Sequence, residues 1–191
     1  MFGMLKDLLH ETNENEFNKL FSRIEKYENI SDSMELEIAN YLNKVSEGRL
    51  SSESKLEIRG MLREVTEIES IGDSCYNLAR TINRKRSGGN DFTEKQYEHI
   101  HQMMQLTSDA LTHMIAIVED DNHVVDVNKT FNLENEINNY RAQLKNQNVV
   151  DVNNKEYDYQ MGVHYMDLIG ECEKLADYVV NVVEARTNVK E

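Results

Sequence analysis

Three features of this 191-residue chain predict an all-α fold. It contains no proline and only eight glycines, so little in it interrupts helix. Apolar residues recur at steps of three and four over long stretches, the period of a helix with one buried face. A helical motif, Glu-x-x-x-Asp-x-x-x-Asn, is written twice, at Glu69-Asp73-Asn77 and Glu173-Asp177-Asn181. A chain of this length can enclose a substantial core, as one medium domain or two small ones.

In order, Met1 to about Thr12 forms a short helical piece that ends in Asn13-Glu14-Asn15. From Phe17 the positions Phe17, Leu20/Phe21, Ile24, Tyr27, Ser31, Met34, Ile38, Tyr41/Leu42 and Val45 describe an amphipathic helix with a coiled-coil-like seam. Gly48 stops it. Ser51 or Ser52 caps the next helix, whose seam is Ile58, Leu62, Val65, Ile68, Gly72, Cys75/Tyr76, Ala79 and Ile82. That helix runs out in Arg84-Lys85-Arg86, cations that suit a helix C-terminus. Ser87-Gly88-Gly89-Asn90 is the clearest break and divides the chain into repeats over 1–87 and 91–191.

Thr93-Glu-Lys-Gln96 is a capping box. It opens a helix carrying Ile100, Met103/Met104, Leu106, Leu111, Met114/Ile115 and Val118, which stops at Asp120-Asp121-Asn122. A further helix spans about Val124 to Asn146 through Val127, Phe131, Leu133, Ile137, Tyr140 and Leu144. Asn148 to Asn154 is expected to be a loop, since its valine cluster is too short and isolated for a strand. Asn153-Asn-Lys-Glu156 then offers a cap, and the last helix runs to about Val189 through Tyr165, Leu168, Cys172, Leu175, Val179 and Val182/Val183.

The formal net charge of −14 argues against nucleic acid and anionic membrane surfaces as partners, and such a surface attracts cations. Cys75 and Cys172 lie in no CxxC or paired framework, which predicts two reduced, buried thiols in a cytosolic setting. Met1 to Leu9 has neither the basic leader nor the cleavage site of a signal peptide. No run approaches the ~20 apolar residues of a membrane span.

The two stripes are offset by 104 positions, Asp73 to Asp177. Companion pairs stand on the preceding helices, Glu28-Asp32 and Glu134-Asn138, offset by 106. The near-equal offsets indicate an internal duplication. Glu and Asp four apart share one helix face and repel each other there. Each pair falls one position after a seam residue, so all four flank packed interfaces and can meet across shallow grooves. Converging carboxylates call for a cation or for raised pKa values. Hard oxygen donors suit magnesium, calcium, manganese or iron, and zinc also accepts carboxylates. The competing reading is ordinary solvated acids beside a seam.

Glu98-His-Ile-His101 contains the Glu-x-x-His spacing of carboxylate-bridged di-iron bundles, but a second copy is missing. There is no phosphate-binding glycine loop and no nucleophile elbow. Gly72 is expected to permit close helix approach, with Tyr76 and Tyr178 at the seam edge.

Glu69-Ser-Ile-Gly-Asp73-Ser-Cys-Tyr-Asn77-Leu-Ala79 closely resembles the PhoU signature, in which E-R-I-G-D precedes a stripe Asn. Tyr41 to Ser51 and Met61 to Val65 look like that family's connection into the same helix, and Glu173 to Asn181 is a weaker second copy. The resemblance covers about Glu16 to Ala185. It implies two pseudo-symmetric three-helix bundles, the first helix short. It also implies a non-enzymatic role in regulating phosphate uptake, with metal held by Glu28, Asp32, Glu69, Asp73, Glu134, Glu173 and Asp177. Asn138 replaces an acid, Ser70 and Lys174 replace the signature arginine, and Ala176 replaces its glycine.

The short first helix and Glu134-Asn-Glu-Ile-Asn138-Asn-Tyr-Arg141 look most like the PhoU-like cytoplasmic extension of bacterial sodium/phosphate cotransporters. That likeness implies a site at the inner face of the membrane and the transporter portion as partner. A free-standing regulator acting on a separate phosphate transporter is the alternative. Self-association into a homo-oligomer is left open.

Overall fold

The computed structural model describes residues 1–89, 91–120 and 125–187. Six helices follow in order: α1 (Phe2–His10), α2 (Glu14–Ser46), α3 (Ser52–Ser87), α4 (Glu94–Val118), α5 (Asn128–Asn153) and α6 (Tyr159–Thr187). They form two three-helix bundles, α1–α2–α3 and α4–α5–α6, with α3 and α6 making the most extensive contact and joining them. The all-helical expectation holds among the described residues.

Helix starts follow local chemistry. Asn13 accepts from the backbone N–H groups of Asn15 and Glu16, and Ser51, rather than Ser52, accepts from Ser54. The Thr93–Gln96 capping box forms as expected. Gly89 has φ +77°, a conformation suited to glycine, at the break after α3.

The expected loop at Asn148–Asn154 is helix instead. No glycine or proline interrupts it, and Gln147 donates to Asp151 at 2.6 Å one turn on. The turn comes later, where Lys155 adopts φ 62°. The cap of α6 moves with it: Asp158, not Asn153, accepts the Met161 N–H at 2.7 Å. The described start of α5 is Asn128, and α4 ends at Val118. The expected boundary residues Asp121, Asn122, Val124 and Val189, together with Asn90, lie outside the described residues.

The extra turns of α5 pack on the start of α6. A Cβ at Gly162 would lie 2.9 Å from Val152 Cγ2 and 3.0 Å from Asn148 Oδ1. Gly162→Val is therefore expected to destabilise the protein by about 1–3 kcal/mol, the usual penalty for overpacking. Urea unfolding measures it, and an unchanged midpoint would mean these turns do not pack as described.

The core lies where α6 meets α3, α4 and α5, around Leu78, Ile100, Met103, Ile137, Tyr165, Leu175, Val179 and Val182. Cys75 and Cys172 are buried here as free thiols, and burial pushes both up to about 12. Neither is a nucleophile at neutral pH.

Half of the expected α2 seam is bare. Phe17, Ile24 and Leu42 are buried, but Tyr27, Met34, Ile38, Tyr41 and Val45 are exposed, as is Ile68 on α3. The reason is length. The nine residues of α1 reach ~14 Å, against ~50 Å for the 33 of α2, so the first bundle is covered at one end only. In the second bundle α4, with 25 residues, covers most of its partners.

Candidate metal groove

Where α2 crosses α3, Gly72 meets Ser31. A Cβ on Gly72 would lie 3.2 Å from Ser31 Oγ, so the small pair lets the helices approach closely, as the sequence indicates. On one side of this contact lies an apolar groove lined by Phe2, Ile68, Ile71, Cys75, Leu111 and Met114. Close to the same contact the carboxylates gather. Glu28 and Asp32 of α2 and Asp73 of α3 each bring an oxygen within 4.8 Å of the others.

Glu28 and Asp32 are half-buried and Asp73 is exposed, so the groove opens to solvent. Burial, then the charges of Asp32, Asp73 and Glu25, raises the Glu28 carboxyl above its ordinary range. Glu69 stands alongside: burial first, then Asp73, Asp32 and Glu35, push it up to about 7. Asp32 Oδ1 is buried and has no hydrogen-bond partner. A buried carboxylate oxygen left unpaired is costly, and a cation would satisfy it. The donor set, all carboxylate oxygen with room for water, fits a hard divalent ion or iron.

The second groove differs. Glu134 accepts a short hydrogen bond from the Asn138 amide, and Arg141 Nε stands 3.5 Å from Glu173 Oε2. Burial raises Glu173 and Asp177 here too, but the Arg141 guanidinium opposes it on both. Glu134, Glu173 and Asp177 do not converge as the first set does among the described residues. Ile137 and Ala176, both buried, occupy the places matching Ser31 and Gly72.

The third members of the stripes do other work. Asn77 donates to Glu171 at 3.4 Å, and Asn181 donates to Glu67 at 3.0 Å. Glu67 and Glu171 are 104 apart, as are Asn77 and Asn181, so the two bonds are symmetry mates that tie α3 to α6. The sequence carried that signal in the repeated offset, but it does not say that position i+8 has rotated past the groove onto the neighbouring repeat. Glu35 and Arg141 were likewise legible only by counting 106 onward from one to the other.

Among the described residues the histidines join no metal-ligating group. His99 Nδ1 pairs with the Tyr165 hydroxyl at 2.9 Å, and His101 Nε2 contacts His10 Nε2 at the α1–α4 contact. Burial lowers the pKa of His99 and His101.

The fold and groove define a class: a duplicated helical bundle with carboxylates set beside its helix contacts. The PhoU domain family matches residues 1–82 and 100–185, and the chain belongs to that family. The crystal structure of the phosphate transport system regulatory protein PhoU from Streptococcus pneumoniae is similar over 99% of this chain and 90% of that one. Its TM-score is 0.74 at 15% sequence identity, a likeness of fold. A comparison with curated proteins finds no match.

Proposed function

We propose that this chain is a non-enzymatic regulator of phosphate uptake whose first groove, built by Glu28, Asp32 and Asp73 with Glu69 beside them, holds a divalent or iron-type ion. The observation that carries it is the convergence of three carboxylates around a buried, unpaired Asp32 oxygen in a member of the PhoU family. The protein described as PhoU from Streptococcus pneumoniae is a phosphate transport system regulator, and the same service is proposed here. The ion would neutralise the clustered charge and pin α2 to α3. Ser31 and Gly72 set the spacing, and Glu69 acts as a nearby fourth carboxyl.

The partner is a phosphate transporter. The sequence phrasing around Glu134 to Arg141 favours attachment to a sodium/phosphate cotransporter, acting at the cytoplasmic face of the membrane. No helix among the described residues is long and apolar enough to cross a membrane itself. A free-standing regulator is the second reading, favoured by the 90% coverage of the streptococcal protein. The upstream reading frame separates them: encoded hydrophobic spans support attachment, and their absence supports the free regulator. We also take 1–87 and 91–191 as the two units of the duplication.

Asp32→Asn with Asp73→Asn is expected to weaken Mn²⁺ binding at least about tenfold, or ~1.4 kcal/mol, by isothermal titration. The double variant is also expected to alter phosphate uptake in cells. Unchanged affinity and uptake would reduce the family relationship to a shared scaffold.

A further inference from the structure

We infer that Arg141 is the resident cation of the second groove, so that this chain takes metal in its first groove alone. The inference rests on the metal reading of that first groove. Position 141 stands 106 after Glu35, the step that also relates Glu134 to Glu28 and Asn138 to Asp32. The duplication therefore sets an arginine where the first groove has a glutamate, and an amide where it has an aspartate.

The geometry shows what the exchange does. The first groove gathers the carboxyls of Glu28, Asp32, Glu35, Glu69 and Asp73, and the charges of Asp73, Asp32 and Glu35 all bear on Glu69. Glu35 points its oxygen to the Thr66 hydroxyl at 3.0 Å and brings no positive charge. The second groove keeps only the carboxyls of Glu134, Glu173 and Asp177. Two of these feel the Arg141 guanidinium, and the third is held by the Asn138 amide.

Arg141 Nε at 3.5 Å from Glu173 forms an ion pair without an aligned hydrogen bond. That is the behaviour of a counter-charge filling a groove. A metal ion there would face a guanidinium that cannot lose its proton. The matching oxygens, Asp32 Oδ1 and Asn138 Oδ1, are both buried without a hydrogen-bond partner. Only the Asp32 carboxylate carries a charge that calls for a cation, and among the described residues no arginine or lysine is paired with it. Arginine thus acts as a tethered substitute for the ion, and the second bundle keeps its stripe without needing a ligand from solution.

The full chain titrated with Mn²⁺, followed by calorimetry and by the Mn²⁺ electron paramagnetic resonance signal, tests this. The wild type is expected to bind one ion per chain. Asn138→Asp with Arg141→Glu is expected to bind two, and Glu35→Arg to bind none while its circular dichroism melt stays cooperative. Two ions on the wild type would overturn the inference and leave the first-groove reading standing. One ion that Asp177→Asn removes and Asp73→Asn does not would sit in the second groove and overturn both readings, whereas a double variant still holding one ion would overturn the inference alone. No ion on the wild type would instead overturn the first-groove reading, and the inference with it.

Discussion

Leu175→Ala is expected to cost about 2–5 kcal/mol of folding stability, the largest effect of any single truncation named here. Leu175 is fully buried on α6, the helix that packs against α3, α4 and α5. Removing its isobutyl group loses transfer free energy and leaves a cavity that three neighbouring helices bound. Because α6 serves both bundles, they should unfold together, with a lower urea midpoint and an unchanged slope. Leu56→Ala, at a 56% exposed position, serves as the control and should shift the midpoint by less than about 0.5 kcal/mol. A loss below about 1 kcal/mol at Leu175 would show that α6 is not the shared core.

Glu69→Gln is expected to raise the melting temperature of the metal-free protein at pH 8 by about 2–4 °C, or ~1 kcal/mol after allowing for solvent screening. In the fold its carboxyl is pushed from 4.5 up to about 7 by burial and by Asp73, Asp32 and Glu35. The folded state therefore holds a proton that the unfolded chain releases above about 4.5. Stability from this group is fully present below the unfolded value and is lost as pH rises through about 7. Glu28 is raised as well, adding a drift of the same sign. The wild type should thus melt at a lower temperature at pH 8 than at pH 5.5, and the glutamine variant should flatten that slope. A variant that tracks the wild type across the whole range would place the pH dependence elsewhere. Saturating Mn²⁺ should relieve the wild type at pH 8 in the same direction, since an ion offsets the charge that the proton no longer does.

Much of the fold was legible because helical periodicity is a local property. The seam of α6 and the caps at Ser51 and Thr93 fall where spacing and side-chain chemistry put them, and the seams of α3 and α4 do so except at Ile68 and Ile115, which are exposed. The end of α5 was not legible. Val149 and Val150 are exposed, so they carry no core signal, and helix continues for want of anything to stop it. The exposure of Met34, Ile38 and Tyr41 was hidden for a different reason: an apolar stripe states which face is sticky, not whether another helix reaches it. At the groove, helix spacing brought Glu28, Asp32 and Asp73 to one face. Their convergence depends on the Ser31–Gly72 approach, a contact between residues 41 positions apart. The guanidinium of Arg141 is a difference between two copies, visible only when they are laid side by side.

The brevity of α1 grades the molecule from end to end. Past Arg63, Glu64 and Glu67, which pair with Glu184, Arg186 and Asn181 of α6, α2 and α3 lean chiefly on one another, with Leu42 and Ile58 as their buried pins. A two-helix arm with so little covered surface opens at a small fraction of the global free energy. Its amides should trade hydrogen with water long before those of α6 do. The chain is thus firm at the shared core and loose at one tip, with the carboxylate groove set at the boundary between the two.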